Sequence, residues 1–201
     1  MMQGLQTNFG QTPSQTVGPY FAYGLTAAQY GYDFGQVFDS VLALDGAVGE
    51  RIRLEGRVFD GAGLPVADAL IEISQPDGEG VYPAGEADVA RSGFRAFGRC
   101  GTGTDAQNRF FFATVKPGVD NDGGAPHINL IVTMRGLLLH TFTRVYFDDE
   151  AVANASDPVL ASVPAGRRQT LLARRGLRSG ETVYVFDIHM QGEQETVFFD
   201  L

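Results

Sequence analysis

From Arg51 onward the chain is a series of short runs in which apolar and polar positions alternate, separated by glycine-rich turns. Arg51-Ile-Arg-Leu-Glu-Gly-Arg-Val-Phe59 predicts a half-buried strand, Asp60-Gly-Ala-Gly63 its turn, and Ala69-Leu-Ile-Glu-Ile-Ser74 the returning strand. Phe97-Gly-Arg-Cys100 predicts a short strand, and Arg109-Phe-Phe-Phe-Ala-Thr-Val115 one packed on both faces. An apolar, β-branched run begins at His127 and ends at Arg135-Gly136, with Leu137 to Phe147 as the next strand. Thr182 to Met190 and Thr196 to Phe199 predict the closing strands, and Tyr82 to Arg95 a surface loop. Two short helices are expected: Asp148 to Asn154, which opens on acidic residues, and Arg167 to Arg175, with arginines at its end and Gly176 beyond. About eight strands and two short helices define an all-β chain with a β-sandwich core.

The first 48 residues follow a different pattern. Met1 to Gln11 is polar and predicts disorder, and Thr12-Pro-Ser-Gln-Thr-Val-Gly-Pro-Tyr20 holds two prolines and a glycine. Proline lacks the donor that a helix interior or a central strand needs, so this segment reads as an extended arm bent at Gly18-Pro19. Phe21, Tyr23, Tyr30, Tyr32, Phe34 and Phe38 continue it as an irregular aromatic region that must dock on something, a partner protein being one candidate. The expected organisation is an arm and docking region over 1–48 and a sandwich domain over 49–201.

Charge and cysteine content narrow the function. A net charge of −9 argues against nucleic acid, whose phosphates need a basic surface. The single cysteine, Cys100, cannot close an internal disulfide and reads as a small buried residue. No apolar run approaches a membrane span and the N-terminus has no signal-peptide pattern, so a cytoplasmic protein is expected.

The candidate chemistry concentrates between Lys116 and Gly136. Period two places His127 and Asn129 on one face of a strand, with Arg135 in phase. A His-x-His pair there would chelate a metal; here the second member is Asn129. His140 and His189 lack paired spacing and read as isolated histidines.

Several stretches taken together resemble the intradiol ring-cleavage dioxygenases: Thr12 to Tyr20, Gly56-Arg-Val-Phe-Asp-Gly61, Lys116-Pro-Gly118, Ala125-Pro-His-Ile128, Arg144-Val-Tyr-Phe-Asp-Asp149 and Gln191-Gly-Glu-Gln-Glu-Thr-Val-Phe-Phe-Asp200. Within that family the chain is similar to the alpha chains of the two-chain members that cleave protocatechuate. The resemblance runs from about Thr12 to Leu201. It implies a β-sandwich, and a reaction in which a non-haem Fe(III) enzyme inserts O₂ between the two hydroxyls of protocatechuate to give 3-carboxy-cis,cis-muconate. It also implies that the iron is held by two tyrosines and two histidines of a beta chain, in a higher hetero-oligomer of alpha–beta pairs.

Set against that ligand pattern, Tyr82 and His127 stand where two ligands would fall, while Asp120 and Asn129 replace the other two. The resemblance therefore implies that this chain does not hold the iron and has no catalytic residue of its own. Its implied contribution is to substrate binding, through Thr16, Gly18, Pro19 and Tyr20 of the arm and through Arg135. Gly18-Pro19 would offer a thin backbone wall, Tyr20 a hydroxyl and Arg135 a permanent positive charge for a carboxylate. Ile73-Ser-Gln75 departs from the Ile-Trp-Gln associated with the family. Two other readings stay open: a self-sufficient dioxygenase holding iron through Tyr82, Asp120 and His127, and a non-enzymatic β-sandwich assembly module.

Overall fold

The computed structural model describes residues 13, 15–18, 20–33, 35–121 and 123–200. Its strands are β1 (Arg51–Phe59), β2 (Leu70–Ser74), β3 (Phe97–Gly101), β4 (Arg109–Val115), β5 (His127–Thr133), β6 (Thr141–Phe147), β7 (Leu172–Arg178), β8 (Glu181–Val185) and β9 (Ile188–His189). They follow the order β3-β2-β5-β6-β7-β8-β1-β4, with β9 beside β1. The β6–β7 junction is a parallel pairing of only two residues, Tyr146 with Leu172 and Phe147 with Ala173. The sheet turns there, so that β3-β2-β5-β6 faces β7-β8-β1-β4.

Alternation decides what lies between the two halves. One half sends in Ile71, Ile73, Ile128, Leu130, Val132 and Val145, and the other Ile52, Leu54, Val58, Phe110, Phe112 and Tyr184, into one buried cluster. Each such side chain contributes about 1.5–3 kcal/mol by leaving water. The opposite face of β5 carries His127, Asn129 and Ile131, which cannot reach this core. A second, smaller cluster of Ala125, Tyr146, Leu160, Val163 and Leu171 covers one end of that outer face. It sits beneath helices α3 (Ala151–Ser156) and α4 (Pro158–Ser162), which follow the shorter α1 (Phe21–Leu25) and α2 (Glu86–Ser92).

The β-sandwich is as expected from the alternation, with nine strands for about eight, but several local elements differ. Among the described residues four α-helices replace the expected two, and α2 lies inside the expected surface loop. Arg167 to Arg175 is not a helix: a 3₁₀ turn over Ala165–Leu171 passes directly into β7. The strand expected from Leu137 starts only at Thr141, and Thr196 to Phe199 contributes a single bridge from Phe199 to Phe142.

The aromatic region docks in part on its own sandwich. Phe38 packs edge-on against Phe97 at 4.6 Å, Leu42 and Ala43 enter the core, and the Gly101 amide donates to Gln29 Oε1 at 2.7 Å. Tyr20 and Tyr32 remain exposed. Residues 1–12, Ser14, Pro19 and Phe34 lie outside the described residues, and with them the expected disorder at the start and one expected arm residue of the site.

Candidate functional site

The stretch from Lys116 to Gly136 does not gather at one place. His127 and Arg135 are separated by roughly 20–25 Å of nearly extended chain, so β5 presents different chemistry at its two ends.

At the first end the strand register aligns side chains across four strands. Phe97 pairs with Ser74, Ser74 with Asn129, and Asn129 with Arg144. The adjacent row runs Arg99, Glu72, Ile131, Phe142. These two rows, Arg99 excepted, line a pocket of about 320 Å³ on the outer face. His127 lies one step along β5, opposite Tyr146, under the helical cover. Burial depresses its proton affinity and the nearby Arg144 cation adds to this, while a contact of Nδ1 with the Ala125 carbonyl at 2.9 Å opposes it. Tyr82 is 39% exposed beside this row. Its hydroxyl pKa is raised by burial and then by the charge of Asp120, against smaller opposing contributions from Ser74, Arg144 and Asn129. Asn129 Oδ1 is buried without a hydrogen-bond partner.

Tyr82, Asp120, His127 and Asn129 therefore share one neighbourhood, and a residue that sequence reasoning missed lies among them. Arg144 acts electrostatically on Tyr82, His127 and Tyr146 alike. Its signal was available, since a strand paired antiparallel to β5 must place some residue opposite Asn129. Which residue it is depends on the register across the 134–140 loop, and local pattern alone does not give that.

The corner below is fixed by Asp157, which caps α4. Its carboxylate accepts from Leu160 N at 2.7 Å, Ala125 N at 2.9 Å and the Tyr146 hydroxyl at 3.1 Å. Burial would raise this carboxyl, but those hydrogen bonds outweigh it and hold the pKa below the ordinary range. Burial in turn pushes Tyr146 up to about 12.

At the far end, Arg135 stands in the turn after β5, more than half exposed, with Nε paired to the Asp68 carboxylate. The next residue, Gly136, donates its amide to Thr16 Oγ1 at 2.9 Å, which ties the arm to this turn. Tyr20 sits at the start of α1, 76% exposed, with its ring 5.7 Å from Tyr23. Tyr23 meets Tyr30 edge-on at 4.5 Å, and Tyr30 feels the charge of Asp68. Tyr20 is thus connected toward Arg135 through Tyr23, Tyr30 and the charge of Asp68, and Thr16 through Gly136. The space around Gly18 is open; Pro19 lies outside the described residues. Asp68 was not singled out by sequence; nothing local marks an acidic residue in a turn as the partner of an arginine 67 positions on.

A larger hollow of about 520 Å³ lies between β7, β8, β9 and the 3₁₀ turn. Of its ionisable groups, Asp187 accepts from Arg57 N at 2.9 Å and His189 stacks on Phe59.

The two-halved sandwich is shared with a solved dioxygenase domain. The dioxygenase domain of a dioxygenase–carbohydrate-binding protein fusion from Streptomyces sp. SirexAA-E superposes with a TM-score of 0.58, covering 94% of this chain and 100% of that one at 21% identity, which speaks for the fold alone. A family model described as Dioxygenase matches residues 18–192, and the chain belongs to that family. It is 59% identical to the protocatechuate 3,4-dioxygenase alpha chain of Burkholderia cepacia, over 97% of this chain and 100% of that protein. It is also 33% identical to the protocatechuate 3,4-dioxygenase beta chain of Burkholderia cepacia, over 74% of this chain and 68% of that protein. The intradiol dioxygenase family is iron-dependent and oxidoreductive.

Proposed function

We propose that this chain is the alpha, non-iron-binding subunit of a protocatechuate 3,4-dioxygenase. It completes the substrate pocket around an Fe(III) that the beta chain holds, and works in a hetero-oligomer of alpha–beta pairs. The observation that carries the reading is the exposed surface at the far end of β5, where Arg135 pairs with Asp68, Gly136 holds Thr16 of the arm, and Tyr20 is reached through the Tyr23 and Tyr30 rings. That surface carries a permanent cation, an exposed phenol and the arm. The identity to an alpha chain over its full length, and the weaker likeness to a beta chain, support a partner of the same fold.

The donor set on this chain's own outer face supports placing the iron elsewhere. Ferric iron favours anionic oxygen and imidazole donors. Tyr82, His127 and the Asp120 carboxylate qualify, but Asn129 offers only a neutral amide, and the Arg144 guanidinium sits in their midst. A fixed cation among the donors opposes a trivalent cation, so the residues present do not fit the metal.

The iron would supply the activation of the catechol and O₂. This chain's residues would bind and orient. Arg135, already held by Asp68, presents its charge to the substrate carboxylate; the Tyr20 hydroxyl can share that carboxylate; the arm, tied through Thr16, would help exclude water. With the assembled enzyme, Tyr20→Ala and Arg135→Ala are each expected to raise KM for protocatechuate about tenfold, the worth of one charge-assisted hydrogen bond. Sizing by gel filtration should stay unchanged. Wild-type KM and kcat in both variants would sink the assignment.

A further inference from the structure

We propose that Asp68 is a positioning residue for the substrate: it holds the Arg135 guanidinium in one orientation, and so sets how tightly a carboxylated catechol is bound. The inference rests on the subunit role proposed above and deepens it.

Strand register makes the pair. In the ladder between β2 and β5 the last partners are Leu70 and Thr133. Carried two residues outward, the same register sets Asp68 opposite Arg135, on the face that also bears Glu72 opposite Ile131. The two residues differ in what fixes them. Asp68 belongs to a rigid segment: Thr102, fully buried, donates to the Val66 carbonyl at 2.7 Å and accepts from Ala69 N at 3.1 Å. The Thr102 amide donates to the Ala69 carbonyl at 3.0 Å, and Ala69 is itself fully buried. Arg135, by contrast, lies in a turn whose Leu138 and Leu139 are exposed. A long side chain on such a turn samples many rotamers unless something outside the turn holds it. Among the described residues that holder is the Asp68 carboxylate.

The contact leaves the useful end of the arginine free. Asp68 takes Nε, and among the described residues the two terminal nitrogens have no hydrogen-bond partner. The Arg135 side chain is 58% exposed and that of Asp68 only 20%, so the acid lies behind and the guanidinium faces outward. An exposed ion pair adds little to stability. Its worth here is orientation, because a side chain ordered before the substrate arrives spares that cost on binding. The same carboxylate also reaches the arm's tyrosines. Burial first, then the charges of Tyr23 and Asp68, raise the Tyr30 hydroxyl pKa. A Cβ on Gly103 would stand 2.7 Å from that hydroxyl and 2.6 Å from the Ala67 carbonyl oxygen, which puts the phenol beside the Asp68 segment. Asp68 therefore stands between Arg135 and the tyrosine row that leads to Tyr20.

The test is steady-state kinetics on protocatechuate with the chain assembled with its beta chain. Asp68→Asn, which keeps the shape and removes the charge, should raise KM about two- to tenfold while kcat stays within about twofold, because the arginine must then be ordered on binding. Asp68→Glu, which restores a carboxylate, should bring KM back toward wild type. In an Arg135→Ala background, Asp68→Asn should change KM no further, since it acts only through the arginine. A merely structural role would instead lower kcat and the urea midpoint together and add to the effect of Arg135→Ala, and that result overturns the proposal. Should Asp68→Asn fail to fold, Asp68→Ser removes the same carboxylate and is read in its place; failure of both makes Asp68 a folding residue and also overturns it. Wild-type KM in Asp68→Asn beside a raised KM in Arg135→Ala overturns it while leaving the subunit role intact. So does a lowered KM in Asp68→Asn, which would make the carboxylate a competitor for the arginine. Wild-type KM in both variants removes the subunit role and this inference with it.

Discussion

His127 shows how a single side chain changes meaning with its surroundings. Its ring, buried under the helical corner and close to the Arg144 cation, binds a proton less readily than an exposed histidine would. The unfolded chain, with an ordinary histidine pKa of about 6.5, therefore takes up that proton first as pH falls. Stability contributed at this position is present above about pH 6.5 and is lost as pH drops toward the lower folded value, by at most about 1.4 kcal/mol per pH unit for one proton. Asp157 has the same sign in a lower window. Its folded pKa is depressed, so its contribution is present above the unfolded value of about 3.9 and disappears as acid protonates the folded carboxyl. Urea midpoints measured from pH 8 to pH 3 should decline in two stages, and His127→Gln should flatten the first stage while leaving the second. An unchanged slope between pH 7 and pH 5 in that variant would contradict this account. Cys100 is simpler: it is buried, and that burial pushes its thiol up to about 11, which makes it a packing residue rather than a nucleophile.

At the scale of elements, β1 is the clearest case of a strand whose composition is dictated by what passes beside it. Gly56 lies mid-strand, and a Cβ there would stand 1.8 Å from the Phe186 carbonyl oxygen and 2.9 Å from the Phe110 ring. Neither neighbour can yield, because Phe186 N donates to Glu55 O at 2.8 Å and Phe110 lies in the core. Gly56→Ala should cost about 3 kcal/mol or more, read as a lowered urea midpoint with activity lost only in parallel with folding; a wild-type midpoint would refute the close approach. The misread elements have equally specific causes. Leu172 to Arg178 carries arginines that suit a helix end, yet Ser179 and Gly180 both adopt positive φ and close a two-residue hairpin with β8. Leu138 and Leu139 read as strand core but are exposed, because Gly136, at φ 91°, turns the chain out of β5 before them. In each case a turn of two or three residues overrode the preference of the run beside it.

For the molecule as a whole, the question is which chain carries the iron. The proposed role predicts that the full-length chain purified alone holds no stoichiometric iron and shows no tyrosinate-to-iron visible absorption. Co-produced with a protocatechuate 3,4-dioxygenase beta chain, it should form a complex whose iron content follows the beta chain and which cleaves protocatechuate. Stoichiometric iron and colour on this chain alone would favour the self-sufficient reading through Tyr82, Asp120 and His127. A complex without ring-cleavage activity would favour the assembly module. Arg144 is the physical reason for expecting the first outcome, since it puts a positive charge where the metal's own charge would need to be.

Sequence by itself determined the sandwich, because an alternation of period two turns one face of each strand toward a common core. It also determined that His127 and Asn129 share a face, since that follows from spacing along one strand. Tertiary structure decided everything that depends on two strands at once. It placed Arg144 opposite Asn129, brought Phe97 and Phe142 to the same pocket, and paired Asp68 with Arg135 across 67 residues. It also separated the two ends of the stretch from Lys116 to Gly136. Spacing along a chain is written in the sequence, whereas register between strands is set by turn geometry and core packing together, and these exist only once the chain has folded.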